Sequence, residues 1–322
     1  MKKAILLVNL GTPSAPTSKA VRRYLRQFLS DPRVVEIPKI VWWFILNGII
    51  LPLRGPKSAK NYQKVWTAQG SPLLVNLQKQ AEALNQLVQA SMNHTRVFYA
   101  MRYGEPAIQS ILERIREQQF GEIIVLPLNP QYSATTTASI FDEIARVFAT
   151  WRNIPKLHFI SHYYDNKHYI DALAHSIEQH WQQHGRAEKL LFSFHGIPKR
   201  CVNKGDPYEA HCKITSDLLA NRLGLENSQW QLCFQSRFGA EKWLQPYTEP
   251  TVITLAQTGT RSIDIICPGF SSDCLETLEE INLGIRARFL EHGGQQFHYI
   301  PALNDQALHI EAILDVSKQN IL

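Results

Sequence analysis

Short, unbroken apolar runs alternate with longer amphipathic segments along most of this chain, and this alternation constrains the fold more than any other feature. Nearly continuous apolar runs are typical of strands covered on both faces. Helix-length segments separate them, which predicts parallel sheets with right-handed crossovers. The predicted strands are Ala4–Asn9, Val97–Met101, Glu122–Leu126, Leu157–Ile160, Leu190–Phe194, Gln231–Phe234, Ile263–Cys267 and Phe297–Ile300. The predicted helices are Ser18–Leu29, Leu74–Gln89, Ala107–Gln119, Ser139–Trp151, Lys167–His184, Tyr208–Leu223, Leu275–Leu290 and Asp305–Lys318.

Four predicted strands in each half of the chain indicate an α/β protein with two similar domains, each built on a four-stranded parallel sheet. The length of 322 residues agrees with this, because domains average about 150 residues. We expect one domain over residues 1–160 and a second over 161–302. The last amphipathic segment, 303–322, is expected to return to the first domain.

Composition excludes several classes of protein. Apolar residues make up 44% of the chain and charged residues 19%, which is ordinary for a folded globular protein. The net charge of +6 is too small to argue for nucleic acid and fits an anionic substrate or surface. The nucleotide-binding motifs GxGxxG and GxxxxGK[ST], the GxSxG elbow and the HExxH zinc motif are not found in the sequence.

The sequence predicts a cytoplasmic protein with at most loose membrane contact. Five cysteines without a CxxC pair indicate a reducing compartment. The longest apolar stretch, residues 40–53, contains Asn47, Gly48 and Pro52 and is about 14 residues long where a span needs about 20. The N-terminal apolar run ends at Gly11-Thr12-Pro13, which favours a buried first strand over a signal peptide.

A histidine stands where a parallel sheet places its chemistry. Catalytic groups in such sheets lie beyond the carboxyl ends of the strands, and with two domains the cleft between them is the expected site. His195 ends the strand Leu190–Phe194 and is followed at once by Gly196 and Pro198. Imidazole can accept a proton near neutral pH and can also bind a divalent metal. A histidine that merely satisfies a backbone carbonyl fits this position equally well.

An acidic cluster follows a strand in the same half of the chain. Asp273, Glu276 and Glu280 are spaced i, i+3, i+7, which predicts one acidic stripe on one helical face. Ser272 or Asp273 is expected to cap that helix. Such a stripe can conduct cations into a site or protons out of it. A solvent-exposed acidic first turn is the more common explanation of this pattern.

Aromatic and basic residues form a third group. The apolar run 40–45 precedes Arg54 and Tyr62, and Arg102-Tyr103, Tyr132-Ser133 and Trp243 follow later. Flat apolar surfaces beside a few cations suit a planar aromatic ligand that carries carboxylates. The alternatives are an exposed patch for a partner or membrane around Trp42-Trp43, and core packing for Tyr62 and Trp243.

The order and spacing of many short motifs resemble the ferrochelatase family. The motifs are Leu6–Pro13, Phe28–Val34, Arg54–Lys57, Gln69–Leu73, Met101–Pro106, Pro127–Thr137, Ser193–Pro198, Phe234–Gly239 with Trp243-Leu244, and Pro268–Glu280. The form DCLETLEEI at Asp273–Ile281 is similar to that of Gram-negative members.

This resemblance implies two Rossmann-like domains of the class II chelatase type, with a porphyrin held between them. It implies the insertion of ferrous iron into protoporphyrin IX to form protohaem, the last step of haem synthesis. His195 matches the essential histidine and Glu276 the metal-site glutamate, while Glu280 and Asp273 match an acidic path behind it. Residues 40–53 match the lip at the mouth of the pocket, which implies peripheral membrane contact. The residues that match positions near the porphyrin are Arg54, Tyr62, Arg102, Tyr103, Ser133 and Trp243.

The chain also departs from some family members. Cys274 stands where some have a histidine, and Leu10 where some have a tyrosine, so neither position offers that second ligand. No cysteine follows Cys274, and Cys201 and Cys212 lack a cluster spacing, so we expect no iron–sulfur cluster and no tightly bound cofactor. Protoporphyrin IX and Fe²⁺ are the expected partners. The alternatives are a chelatase for another tetrapyrrole and a non-catalytic carrier of haem or metal.

Overall fold

The computed structural model describes residues 2–319, which divide into two compact units. The first unit contains the chain up to Asn129, Ser133–His162 and the residues from Ile313 onward. The second contains Pro130–Tyr132 and Tyr163–Ala312. The predicted domain limits, 1–160 and 161–302 with the returning segment 303–322, stay a proposal, and residues 320–322 lie outside the described chain.

The first unit is built on a four-stranded parallel sheet. Its strands are β1 (Lys3–Gly11), β2 (Thr95–Tyr103), β3 (Glu122–Pro127) and β4 (Lys156–Phe159). They lie in the order β2-β1-β3-β4. The central strand β1 buries five consecutive apolar residues from Ala4 to Val8, because helices cover both of its faces.

The helices of the first unit include a long segment that the sequence patterns missed. The chain from Lys39 to Val65 is almost continuously helical, whereas the sequence patterns predict no helix there and only an apolar stretch over residues 40–53. Pro52 lies directly after the π-helix, at the start of α3, and Pro56 lies inside α3. The helices are α1 (Ser18–Leu29), α2 (Lys39–Ile45), a π-helix (Leu46–Ile50), α3 (Leu51–Val65), α4 (Pro72–Ser91), α5 (Ile108–Glu117), a second π-helix (Ala134–Ala138) and α6 (Ser139–Phe148).

The second unit has its own four-stranded parallel sheet. Its strands are β5 (Lys189–His195), β6 (Trp230–Gln235), β7 (Ser262–Ile266) and β8 (Gln296–Ile300), in the order β6-β5-β7-β8. The helices are α7 (Lys167–His184), α8 (Lys199–Asn203), α9 (Tyr208–Arg222), α10 (Thr248–Gln257), a π-helix (Glu276–Ile285), α11 (Arg286–Glu291) and α12 (Ala307–Gln319). The helix α12 continues past the end of the second unit at Ala312.

The fold prediction is confirmed. All eight predicted strands form, they form two four-stranded parallel sheets, and helices flank both. Two short helices of the second unit, α8 and α10, were missed. The predicted helix 275–290 is present, but most of it has π geometry. Within the described residues, no helix combines the length and the apolar character needed to cross a bilayer.

Buried His309 gives the second unit a specific dependence on pH. Its Nδ1 lies 2.7 Å from the carbonyl oxygen of Asn304, and burial lowers the pKa of His309 to about 4. The unfolded chain takes up this proton near pH 6.5, while the native state resists it. Because the native pKa is the lower one, its contribution to stability is complete above pH 6.5 and is lost as the pH falls toward 4.

We therefore expect His309 to lower the free energy of unfolding by about 3 kcal/mol between pH 7 and pH 4. Urea unfolding of the wild type and of His309→Gln at pH 7, 5.5 and 4 measures this effect. The glutamine can keep a donor to Asn304 but cannot titrate, so the stability difference between the two proteins should shrink on acidification. A constant difference across this range contradicts the assignment.

Candidate active site

His195 ends strand β5, and its backbone pairs with Gln235 at the end of β6. Its Nδ1 lies 2.7 Å from the carbonyl oxygen of Gly196. A carbonyl can only accept, so Nδ1 carries the hydrogen and Nε2 is left as an unprotonated acceptor in the neutral ring. The rings of Trp243 and Phe270 lie 6.4 and 6.5 Å from the imidazole, centroid to centroid. The histidine thus presents a free lone pair between aromatic neighbours.

Gly196 permits the close packing behind this histidine. Its N–H donates to the carbonyl of Gln235 at 2.9 Å. A Cβ at this position would lie 3.0 Å from that carbonyl oxygen and 3.2 Å from the ring of Trp243. A side chain here would push the strand end away from Trp243, so the glycine is required by the close approach of the backbone.

Glu276 begins the π-helix of the second unit, and Gln235 connects that helix to the histidine strand. The Gln235 Nε2 donates to the backbone carbonyl of Glu276 at 3.1 Å, and its Oε1 accepts from the Ser193 hydroxyl at 2.9 Å. Gln235 is only 3% exposed. Since Gln235 also pairs with His195 across the sheet, this one side chain fixes the start of the helix beside the end of β5.

Glu280 lies one turn further along the same helix and is held by Ser236. The backbone N–H and the hydroxyl of Ser236 donate to its two carboxylate oxygens at 2.7 and 2.5 Å. Ser236 has a φ of +65°, a left-handed conformation that is uncommon outside glycine and often marks functional sites. Burial raises the pKa of Glu280, and the charge of Glu276 acts in the same direction. The Ser236 hydrogen bonds and the charge of His195 oppose these effects only in part.

Asp273 differs from the sequence prediction. It precedes the helix instead of belonging to its face, so the expected stripe of three carboxylates begins at Glu276. Its Oδ1 accepts from the hydroxyls of Tyr299 at 2.6 Å and Thr277 at 2.9 Å, and its Oδ2 accepts from Asn304 Nδ2 at 2.8 Å. These bonds tie the start of the helix to β8 and the following loop. Its membership of an acidic path stays a prediction.

In the first unit, Arg102 and Tyr103 meet at a buried carboxylate that the sequence analysis did not single out. Asp31 Oδ2 accepts from Arg102 Nη2 at 2.7 Å, from the Tyr103 hydroxyl at 2.8 Å and from the Ser139 hydroxyl at 2.6 Å. Burial raises the pKa of Asp31, but hydrogen bonds from Ser139, the Arg33 N–H and Tyr103, with the charge of Arg102, more than offset this and lower it overall. The polar ends of Arg102 and Tyr103 are therefore already engaged within this unit.

The remaining predicted porphyrin contacts occupy varied surroundings. Arg54 lies on α3 and is partly buried, which lowers its pKa. Tyr62 is 7% exposed and packs edge-on against Trp66, with ring centroids 6.0 Å apart. The Ser133 oxygen accepts from the Thr135 N–H and caps the second π-helix of the first unit. Only Trp243 belongs to the second unit, beside His195.

Residues 40–53, which we call the lip, expose many large apolar side chains. Trp43 and Phe44 are 59% and 65% exposed and pack edge-to-face at 5.0 Å between ring centroids. Trp42 instead anchors the segment, because its Nε1 donates to the Leu29 carbonyl at 2.6 Å. The other exposed members are Ile40, Val41, Ile49 and Leu53.

Two solved structures that share this fold are chelatases. SirB from Bacillus subtilis with Fe³⁺ matches with a TM-score of 0.60 at 14% identity, covering 99% of this chain and 96% of that one. The sirohydrochlorin chelatase SirB from Bacillus subtilis subspecies spizizenii in complex with cobalt matches with a TM-score of 0.56. The two parallel sheets therefore have the class II chelatase fold, with two Rossmann-like domains.

Sequence comparison narrows this class to one family. The family model described as Ferrochelatase matches residues 2–321. A ferrochelatase of Herminiimonas arsenicoxydans is 51% identical over 321 residues, covering 100% of this chain and 87% of the relative. Ferrochelatase 1 of Shewanella oneidensis is 53% identical over 310 residues, covering 96% and 93%. The chain belongs to the ferrochelatase family, and the predicted enzyme activity, insertion of iron into protoporphyrin in haem synthesis, is confirmed.

Proposed function

We propose that the second unit carries the metal-insertion chemistry, with His195 and Glu276 as its central pair. The observation that supports this is the contact between His195 Nδ1 and the carbonyl oxygen of Gly196, at 2.7 Å. The Nδ1 hydrogen is committed to the Gly196 carbonyl, so Nε2 can accept a pyrrole proton or coordinate iron. The Gln235 side chain holds the Glu276 backbone next to the same strand end, which supports a role for its carboxylate beside His195.

One histidine with one carboxylate suits a metal that must be passed on. A complete four-ligand protein site would retain iron, and Cu²⁺ or Ni²⁺ would bind more tightly than Fe²⁺ by intrinsic affinity. A site of two ligands holds Fe²⁺ weakly, so the four porphyrin nitrogens can take it once the two pyrrole N–H protons have left. Glu276 would hold the ion or accept the proton next.

Glu280 is suited to pass protons away from this pair. Burial raises its pKa, so it can hold a proton more readily than an exposed carboxyl group. Ser236 fixes both of its oxygens, which keeps the carboxylate on the side of Glu276 and His195. In this proposal, Asp273 is the outermost member of the path.

The proposal predicts unequal effects of two substitutions on the same helix. Glu276→Gln removes a metal ligand and should lower turnover by about 10²-fold or more, while Glu280→Gln removes a relay group and should lower it by about tenfold. Steady-state formation of zinc protoporphyrin, followed by fluorescence, measures both. Glu279→Gln makes the same chemical change on the same helix and should leave turnover within twofold. Equal losses for Glu276→Gln and Glu280→Gln contradict separate roles.

The choice of substrate is tested by competition among porphyrins. A more highly charged tetrapyrrole would need more cationic groups, whereas the aromatic residues of the lip favour the apolar protoporphyrin. Protoporphyrin IX should therefore outcompete coproporphyrin and sirohydrochlorin in the anaerobic insertion assay. Binding of porphyrin without metallation would instead indicate a carrier. We include as porphyrin contacts Arg54, Tyr62, Arg102, Tyr103, Ser133 and Trp243.

We further propose that the lip contacts the membrane surface, where protoporphyrin partitions. Exposed apolar side chains flanked by lysines, such as Lys39 and Lys57, are typical of interfacial segments. Such a surface would let a poorly soluble substrate enter from the lipid.

This lip proposal predicts a strong effect of removing two exposed aromatic side chains. Trp43→Ala with Phe44→Ala should weaken binding to anionic vesicles at least tenfold, since each buried aromatic contributes about 1.5–3 kcal/mol. Cosedimentation with phosphatidylglycerol-containing vesicles measures it. Phe141→Ala with Ile154→Ala removes two exposed apolar side chains of the same unit and is the matched control. An equal loss of vesicle binding in both double variants would argue against a membrane contact through the lip.

A further inference from the structure

Three histidines surround a buried aspartate in the second unit, at a distance from His195. Asp264 lies within β7 and pairs in register with Leu190 of β5. His195 follows Leu190 by five residues on that strand, which corresponds to roughly 16 Å. His298 belongs to β8, and His180 and His184 to α7, so three elements converge on this aspartate.

One oxygen of Asp264 is fixed, and the other is directed at the histidines. The carboxylate is 1% exposed. Its Oδ2 accepts from Trp181 Nε1 at 2.8 Å and from the Ala187 N–H at 3.2 Å. Its Oδ1 lies 3.1 Å from His298 Nδ1 and 3.6 Å from His180 Nε2. The donors on Oδ2 therefore hold the carboxylate so that Oδ1 remains for a ligand shared with the two imidazoles.

One imidazole nitrogen of this group makes no hydrogen bond to the described residues. Among the described residues, His180 Nε2 is buried and has no hydrogen-bond partner. The His184 ring lies 4.6 Å from that of His180 and 5.6 Å from that of His298, centroid to centroid. All of them border a cavity of about 450 Å³, which Asn282 and Arg286 also line. A buried imidazole nitrogen without a hydrogen-bond partner destabilises the folded state, so its presence calls for a structural explanation.

A metal ion provides that explanation. One nitrogen each of His180 and His298 and one oxygen of Asp264 lie within 4.8 Å of one another. Ligands at 2.0–2.2 Å around a tetrahedral zinc ion are about 3.3 Å apart, so the three groups need to close by at most about 1.5 Å. Two imidazoles and a carboxylate suit Zn²⁺ and its neighbours in the first transition row better than Mg²⁺ or Ca²⁺.

We propose that His180, Asp264 and His298 form a second metal site, which binds one divalent transition ion such as Zn²⁺ and pins α7 to β7 and β8. Three protein ligands leave the fourth position to water, with His184 beside it. His298 would bind the ion as a neutral imidazole, with its one hydrogen on the ring nitrogen that does not face the ion. This site is independent of the proposed iron-insertion chemistry and is built from different residues.

The test uses Zn²⁺ alone with the metal-free full-length chain. Equilibrium dialysis should find a zinc equivalent that persists in His195→Ala and is lost in His298→Gln and in His180→Gln. At zinc concentrations about 100-fold above the dissociation constant, the thermal midpoint should rise by roughly 5 °C in the wild type, in His195→Ala and in His184→Gln, but not in His180→Gln or His298→Gln. His184→Gln is the matched control, because it removes a neighbouring ring and should keep the bound zinc.

Zinc-soaked crystals of the wild type give a readout that does not depend on how the variants fold. An anomalous-scattering peak between His180, Asp264 and His298 supports the site. Anomalous density at His195 only, or full zinc binding in both His180→Gln and His298→Gln, overturns it. An empty cluster at saturating zinc would leave the three histidines as a purely hydrogen-bonded group and would equally overturn the proposal.

Discussion

His195→Ala is expected to lower iron and zinc insertion by about 10³-fold or more while porphyrin still binds. The substitution removes the Nε2 lone pair, which the Nδ1 hydrogen bond to Gly196 leaves as the proton acceptor. It removes the proposed metal ligand as well, so two steps are lost together. The proposed porphyrin contacts are aromatic and cationic groups elsewhere, so porphyrin affinity should change much less. Fluorescence quenching measures porphyrin binding, and zinc protoporphyrin formation measures turnover.

The control for this variant is a histidine that the proposed chemistry does not use. His184→Gln changes an imidazole in the same unit and should leave turnover within twofold. Added imidazole should partly restore His195→Ala, since the deleted side chain leaves room beside Trp243 and Phe270. Retained turnover in His195→Ala would remove this residue from the mechanism. Lost porphyrin binding would make it a binding residue instead.

The sequence could predict the fold because the strands of both sheets can be recognised from short local runs of apolar residues. Runs such as Ala4–Asn9 and Leu190–Phe194 are apolar on both faces, and this is characteristic of strands in the middle of a parallel sheet. The missed helices lack such local signals. The segment Lys39–Val65 contains glycine and two internal prolines, and α10 has little amphipathic character to distinguish it from a loop. Their helical state depends on packing, which single-sequence patterns do not contain.

The sequence could predict which residues belong to the candidate site, but not the contacts that hold them in place. The spacing of Glu276 and Glu280 indicates a shared face and is compatible with the π-helix they occupy. Gln235 and Ser236 directly follow the predicted strand Gln231–Phe234, yet nothing in the sequence shows that their side chains reach the π-helix 41 and 44 residues later. The contacts of Asp273 could not be predicted for the same reason, because its partners on and after β8 are remote in sequence.

The buried carboxylate of Asp31 should be the most sensitive point for stability in the first unit. Three donors converge on its Oδ2, from Arg102, Tyr103 and Ser139, and the Arg33 N–H donates to Oδ1. Asp31→Asn removes the charge and turns one acceptor into a donor, so either orientation of the amide faces an N–H or O–H. Removing one partner of a buried ion pair costs about 3–5 kcal/mol, because the other charge is left uncompensated.

We therefore expect Asp31→Asn to lower the thermal midpoint by roughly 10 °C, with the free energy of unfolding measured by urea titration. Asp142→Asn is the matched control, because Asp142 bonds Arg33 at the surface with both side chains 44% exposed, and its loss should cost less than 1 kcal/mol. The double variant Asp31→Asn with Arg102→Met removes both charges and should recover part of the loss. Equal destabilisation by Asp31→Asn and Asp142→Asn would show that the buried network does not stabilise this unit through its charge. Because the network lowers the pKa of Asp31, its contribution is complete above about pH 4 and should disappear as the carboxyl group is protonated at lower pH.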